Sequence, residues 1–144
     1  MTEEEIQLLL QDLSSRLRYG VRLCVPGYLV PYKLLGIDGD VLHIDTPVYD
    51  EGDGYFELDC FNIKPYLRPL SSMTEKEQNE LSAYCGLATY QLFISVDADN
   101  PEIPYNYLIL AIDWLNAHHF DYRGLIEKGL AIEAPEGMYE IEWE

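Results

Sequence analysis

Tyr32-Lys33-Leu34-Leu35-Gly36-Ile37-Asp38-Gly39-Asp40-Val41-Leu42-His43-Ile44-Asp45 is the stretch that decides the fold class. Two apolar runs, one ending at Ile37 and one restarting at Val41, flank Asp38-Gly39. Glycine reaches the positive φ that a primed hairpin turn requires, so the stretch reads as a β-hairpin. On its N-terminal side, Val21, Leu23 and Val25 alternate with Arg22 and Cys24 until Pro26-Gly27 breaks the strand. On its C-terminal side, an acidic, glycine-containing loop from Tyr49 to Gly54 leads to a further short strand over Tyr55 to Phe61. A sheet in the first half needs an apolar cover.

The cover is the segment before it. Thr2 and Glu5 form a T-x-x-E capping box, and the early glutamates suit the positive end of a helix dipole. Ile6, Leu9, Leu10, Leu13 and Leu17 then share one helical face opposite Gln7, Gln11, Ser14 and Arg18, with a stop expected at Tyr19-Gly20.

Further along, Lys64-Pro65-Tyr66-Leu67-Arg68-Pro69-Leu70 holds two prolines four apart, which exclude a regular helix and predict an extended crossing of the surface. Thr74 and Glu77 repeat the capping box ahead of a short helix with Leu81, Tyr84 and Cys85 as its buried stripe and Gly86 as its end. Leu87 to Val96 favours strand, and Asp97 to Pro104 reads as loop. A helix over about 103–119 is apolar around most of its girth, with Leu108, Leu110, Ala111, Ile112, Trp114 and Leu115, which predicts burial on several sides. Asp121 is placed to cap a short helix ending at Lys128, with Gly129 at the left-handed position and Leu125 and Leu130 in the contact of a Schellman ending. Leu130 to Glu133, the turn Pro135-Glu136-Gly137 and Met138 to Trp143 read as a C-terminal β-hairpin with Tyr139, Ile141 and Trp143 turned inward. The expected architecture is one α+β domain over 1–144. A small, mostly antiparallel sheet packs with an N-terminal amphipathic helix and a buried central helix.

Composition bounds the partners. The 144 residues are 48% hydrophobic with twelve tyrosines, enough apolar surface for one core. Twenty-six acidic residues against nine basic give −17, divided as −6 through Ser72 and −11 after it. That field repels phosphate backbones and anionic membranes, so neither nucleic acid nor membrane is an expected direct partner. It serves solubility, and it suits another protein with a basic surface. No run of about 18 apolar residues marks a membrane span. Met1-Thr2-Glu3-Glu4-Glu5 lacks the positive region of a signal peptide, so a cytoplasmic location is expected. Cys24, Cys60 and Cys85 are odd in number and never in C-x-x-C, which argues against a disulfide framework or a thiolate zinc site.

Candidate chemistry is sparse. His118, His119 and Asp121 offer two imidazoles and a carboxylate to a transition metal. Adjacent helical residues point about 100° apart, however, and His43 is the only other histidine. The alternative is one imidazole buried and hydrogen-bonded near the helix end, where positive charge is favoured. Asp113 interrupts the apolar helix as a possible raised-pKa carboxylate or as part of its polar sliver. Gly36, Gly39, Gly52 and Gly54 match no phosphate-binding loop, nucleophile motifs are absent, and no cofactor is expected. Lys64, Tyr66 and Arg68, with Tyr28 and Tyr32, form a candidate interaction surface; the alternative is that Lys64 and Arg68 pair with acidic neighbours.

Two segments, Lys64-Pro65-Tyr66-Leu67-Arg68-Pro69-Leu70-Ser71-Ser72-Met73-Thr74-Glu75 and His118-His119-Phe120-Asp121-Tyr122-Arg123-Gly124-Leu125-Ile126-Glu127-Lys128-Gly129-Leu130-Ala131, resemble a family of small uncharacterised proteins from phages, prophages and mobile elements of Bacteroidetes gut bacteria. The Leu17-Arg18-Tyr19-Gly20 junction is similar as well. The resemblance implies a bacterial cytoplasm during expression of a mobile element, and brings no mechanism. The leading expectation is a non-enzymatic protein-interaction module. One alternative is an acidic DNA mimic that inhibits a host nucleic-acid-binding or defence protein. The other is a small metal-dependent hydrolase using His118, His119, Asp121 or Asp113.

Overall fold

The computed structural model describes residues 1–27, 30–45, 54–58, 62–86 and 105–139. Helix α1 (Glu3–Arg16) starts on the expected capping box, with Thr2 accepting from the Glu5 N–H and Glu5 reaching back to the Thr2 N–H. A single 3₁₀ turn (Leu17–Tyr19) and Gly20, at φ +72°, swing the chain into the sheet. Strands β1 (Arg22–Cys24), β2 (Tyr32–Asp38), β3 (Val41–Ile44) and β4 (Tyr55–Glu57) form an antiparallel meander. Asp38 pairs with Val41, so the hairpin loop is Gly39-Asp40, with positive φ at Gly39 alone. That is the type II′ pattern. Leu35 is the extra residue of a bulge between Leu34 and Gly36 and stays exposed.

The proline segment corrects the expectation of a surface crossing. It is extended, but as β5 (Lys64–Pro69) it lies within the sheet, in the order β4-β3-β2-β1-β5-β6, with β7 also on β5. Alternate residues of a strand address the same edge. The Leu67 carbonyl accepts from the Ala134 N–H of the β7 segment, so Pro65 and Pro69 aim their missing donors at that edge, where only Leu67 between them must pair. The next residue, Arg68, donates its N–H to the His119 carbonyl on the other edge. Prolines spaced four apart therefore fit a strand whose partner on one side is only two residues long.

After a 3₁₀ turn at Leu70–Ser72, helix α2 (Glu75–Cys85) begins on its Thr74/Glu77 box and ends at Gly86, at φ +76°. Leu81 and Cys85 are buried as expected, whereas Tyr84 is exposed. Helix α3 (Tyr105–Ala117) buries Ala111, Trp114 and Leu115 against α2 and β6 (Phe120–Asp121). Leu108 and Leu110 pack partly against the same cluster, whereas Ile109 and Ile112 are 55% and 40% exposed, and the polar Asn116 is buried at the C-terminal end of their face. Burial on several sides is thus corrected to burial that leaves the stripe of Ile109, Ile112 and Asp113 open to solvent. Strand β7 (Ile132–Glu133) pairs with β5 in parallel, and the second strand read for a C-terminal hairpin lies mostly outside the described residues, as do the strand read over 87–96, the loop read over 49–54 except Gly54, the loop over 97–104, and Cys60.

The segment after β6 makes turns rather than the expected helix, yet its ending is the one expected. Leu130 N–H donates to the Leu125 carbonyl at 2.9 Å and Gly129 N–H to that of Ile126 at 3.1 Å, with Gly129 at φ +75°. These are the two bonds of a Schellman motif. One apolar cluster joins α1 to the sheet and to Leu125, Leu130 and Ala131; the second joins α2, α3 and Phe120.

Candidate functional site

Where those clusters meet, the interior turns polar. Arg16, on the last turn of α1, has no exposed side-chain surface. It donates Nε–H to Asp12 Oδ2 at 2.9 Å and Nη2–H to Asp12 Oδ1 at 3.2 Å and to the Phe120 carbonyl at 2.6 Å. Its Nη1 has no hydrogen-bond partner among the described residues. Asp12, equally buried, also accepts from Arg123 Nε at 3.1 Å. Both guanidinium carbons lie over the Tyr122 ring, 5.2 Å and 5.1 Å from its centroid, and its hydroxyl donates to Asn116 Oδ1. Spacing of four along α1 lets Asp12 and Arg16 meet, but a lone carboxylate and guanidinium among leucines give no hint in sequence that both are inside.

The candidate metal ligands are held apart by their own bonds. Asp121 accepts from the Leu125 and Ile126 N–H groups at 3.0 and 2.9 Å, so it caps the turn that follows it. The Nδ1 atom of His118 lies 2.9 Å from the Trp114 carbonyl, and its ring stacks on that indole at 3.8 Å. His119, two residues past α3, sits in the left-handed region, at φ +63°, and stacks on Tyr139 at 3.7 Å. Asp113 faces solvent. Among the described residues, no three His, Cys, Asp or Glu side chains gather as a metal-binding group.

The expectation of one buried, hydrogen-bonded imidazole is corrected in its pairing. The buried ring is His119, whose Nδ1 has no partner among the described residues; the ring bonded to a carbonyl, His118, is half-buried. Burial first, and then the positive charges of Arg16, His118, Arg68 and Arg22, push His119 down to about 3, so it is neutral at pH 7. Burial, with the nearby cations behind it, outweighs the attraction of the helix end.

Tyr139 carries the least foreseeable role. Arg22 and Tyr66 are the next opposed pair beyond Leu23–Pro65 in the β1–β5 ladder. Between them the Tyr139 hydroxyl accepts from the Arg22 N–H at 2.9 Å and donates to the Tyr66 carbonyl at 2.7 Å. Burial, above other effects, lifts its pKa to about 12, so the donor is retained throughout the neutral range. Its inward orientation follows from the alternation read in sequence; its insertion into a ladder does not.

The candidate interaction surface is divided. Opposed residues of antiparallel strands project from the same face, and Cys24 opposes Lys64 while Leu23 opposes both Tyr32 and Pro65. Lys64, Tyr66 and Arg68 therefore share the face turned away from Leu23 and the first cluster, whereas Tyr32 packs against that cluster. Tyr28 lies outside the described residues. Arg68 forms a two-bond pair with Glu77, each at 2.7 Å, and lies 4.1 Å over the Phe120 ring. Burial raises the Glu77 pKa, but the Arg68 and Thr74 hydrogen bonds outweigh it and hold the carboxyl below its usual range. Arg68 thus ties α2 to β5, as the pairing alternative anticipated.

Fourteen acidic residues follow Ser72, of which Asp97, Asp99, Glu102, Glu140, Glu142 and Glu144 lie outside the described residues. Of the rest, Glu77 and Asp121 are turned into the bonds above. No helix is long and apolar enough to cross a membrane among the described residues. Comparison with protein families, with curated proteins and with solved structures finds no match.

Proposed function

We propose that this chain is a non-enzymatic protein-interaction module, acting in the bacterial cytoplasm during expression of a phage or mobile element. The observation that carries the first part is the free side of α3. Ile109 and Ile112 are one turn apart and exposed, beside exposed Asp113, on a helix whose opposite side is firmly packed. On the neighbouring α2, Tyr84 is exposed as well. Meanwhile His118, His119, Asp121, Arg68 and Asp12 are each engaged in packing or hydrogen bonds that hold the fold. The partner that fits is a protein with an apolar patch ringed by basic side chains, because the chain carries −17. The setting rests on the resemblance of the two quoted segments to proteins of mobile elements.

The test compares the chain with its Ile109→Lys/Ile112→Lys variant, which adds charge at exposed sites without touching the core. Affinity capture from a bacterial host should retain a partner on the original chain and lose it from the variant. That binding should weaken with added salt. Identical retained sets for the two chains would end this reading.

A further inference from the structure

In a chain with nine basic residues, three gather on one cleft of about 320 Å³. Arg18, Arg22 and Lys33 supply its charge, Tyr19, His119 and Tyr139 its walls, and no carboxylate lines it among the described residues. Local structure explains how they converge. The 3₁₀ turn after α1 presents Arg18 and Tyr19, and Gly20 turns the chain so that β1 starts at Arg22. The β1–β2 register then sets Arg22 directly opposite Lys33 on the outer face of the sheet.

Like charges directly opposed across a strand pair are unfavourable. Here the opposition is built in. The Lys33 stem crosses Gly20 so closely that a Cβ there would lie 3.3 Å from Cε, and φ of +72° also demands glycine. Lys33 and Arg18 form no ion pair among the described residues, although acidic side chains outnumber basic ones almost three to one. The His119 wall is uncharged and stacked face to face on the ring of Tyr139, whose hydroxyl bridges β1 and β5, so the back of the cleft is rigid.

We infer that this cleft binds the phosphoryl group of a small organic phosphate, with Arg18 and Lys33 on the anion, Arg22 adding its positive field beside them, and the Tyr19 ring beside the organic part. Guanidinium forks match phosphate oxygens with two parallel bonds, and a lysine adds a point charge. The cleft volume lies at the small end for ligand sites. A polyanion is disfavoured, because the net charge of the whole chain repels it beyond the cleft.

The experiment is isothermal titration of the full chain at constant ionic strength with inorganic phosphate and with adenosine monophosphate, using acetate as the control. Saturable one-to-one binding of both phosphates is expected, tighter for the nucleotide. Lys33→Gln and Arg18→Gln should each weaken it about tenfold or more, a loss of about 1.4 kcal/mol. Lys128→Gln, at an exposed and distant cation, should leave it unchanged. No saturation by either phosphate up to about 10 mM, a concentration weaker than any useful site, overturns the inference, as does binding that Lys33→Gln and Arg18→Gln leave intact. A nucleotide no tighter than phosphate removes Tyr19 from it. The α3 surface is unaffected by these variants, so this inference and the protein-interaction reading fail separately.

Discussion

Replacing Asp12 by Ala probes the polar junction most directly. The substitution removes the acceptor of two Arg16 bonds, at 2.9 and 3.2 Å, and of one Arg123 bond at 3.1 Å. The two cations then differ in their escape. Arg123 is 22% exposed and can turn to water, but Arg16 is fully enclosed and keeps only the Phe120 carbonyl. Stranding one partner of a buried pair costs about 3–5 kcal/mol, about a fifth or more of the stability usual for a domain of this kind, about 5–15 kcal/mol. With a urea slope of about 2 kcal/mol/M for a chain this size, the unfolding midpoint should fall by about 2 M at unchanged slope. The companion variant Asp12→Leu/Arg16→Met removes both charges and should recover most of the loss, because an apolar replacement of a buried pair is often neutral. A fall of under about 0.5 M for Asp12→Ala, or a double variant no more stable than the single, would falsify the claim that Arg16 is held inside chiefly by this carboxylate.

The remaining predictions concern single groups. His119 has a folded pKa of about 3, below its unfolded value of 6.5, so its contribution is complete above pH 6.5 and is lost as pH falls towards 3. Asn tolerates the left-handed backbone, and His119→Asn should flatten the stability profile across that window by up to about 1.4 kcal/mol per pH unit; parallel profiles for the two chains would refute the assignment. For Glu77, whose pKa is lowered, the contribution is present above the unfolded value and lost on acidification, so Glu77→Gln should reduce acid sensitivity below about pH 4.5, read from urea midpoints at pH 7 and pH 3. Tyr139→Phe leaves the Arg22 N–H and the Tyr66 carbonyl without the bridging hydroxyl and should cost about 1–3 kcal/mol. Unchanged thermal stability, with unchanged amide exchange at Arg22, would count against the bridge. Gly129→Ala, at φ +75° with nothing near its Cβ position, should cost about 1–2 kcal/mol from backbone strain alone.

The sequence by itself determined the features whose physics is local. Both capping boxes, the positive-φ glycine of the β2–β3 turn, the Gly86 helix end and the two Schellman bonds around Gly129 depend on residues within about five positions of one another. The α+β class followed from these and from the alternation of apolar residues. What only the tertiary structure decided rests on distant partners. Arg16 is inside because the Phe120 carbonyl, 104 positions away, and Asp12 receive it. Lys64–Pro69 is an inner strand because Pro65 and Pro69 happen to face an edge that asks only Leu67 for a bond. The same holds for the sites. His118, His119 and Asp121 stood out in sequence because they are adjacent, and the fold sends them to three different tasks. Arg18, Arg22 and Lys33 are scattered polar positions in the sequence, and the register between β1 and β2 sets two of them opposite each other. Hydrogen-bond geometry within a turn is encoded by nearest neighbours, whereas charge convergence and burial are properties of which strands meet, and no short window of sequence contains that information.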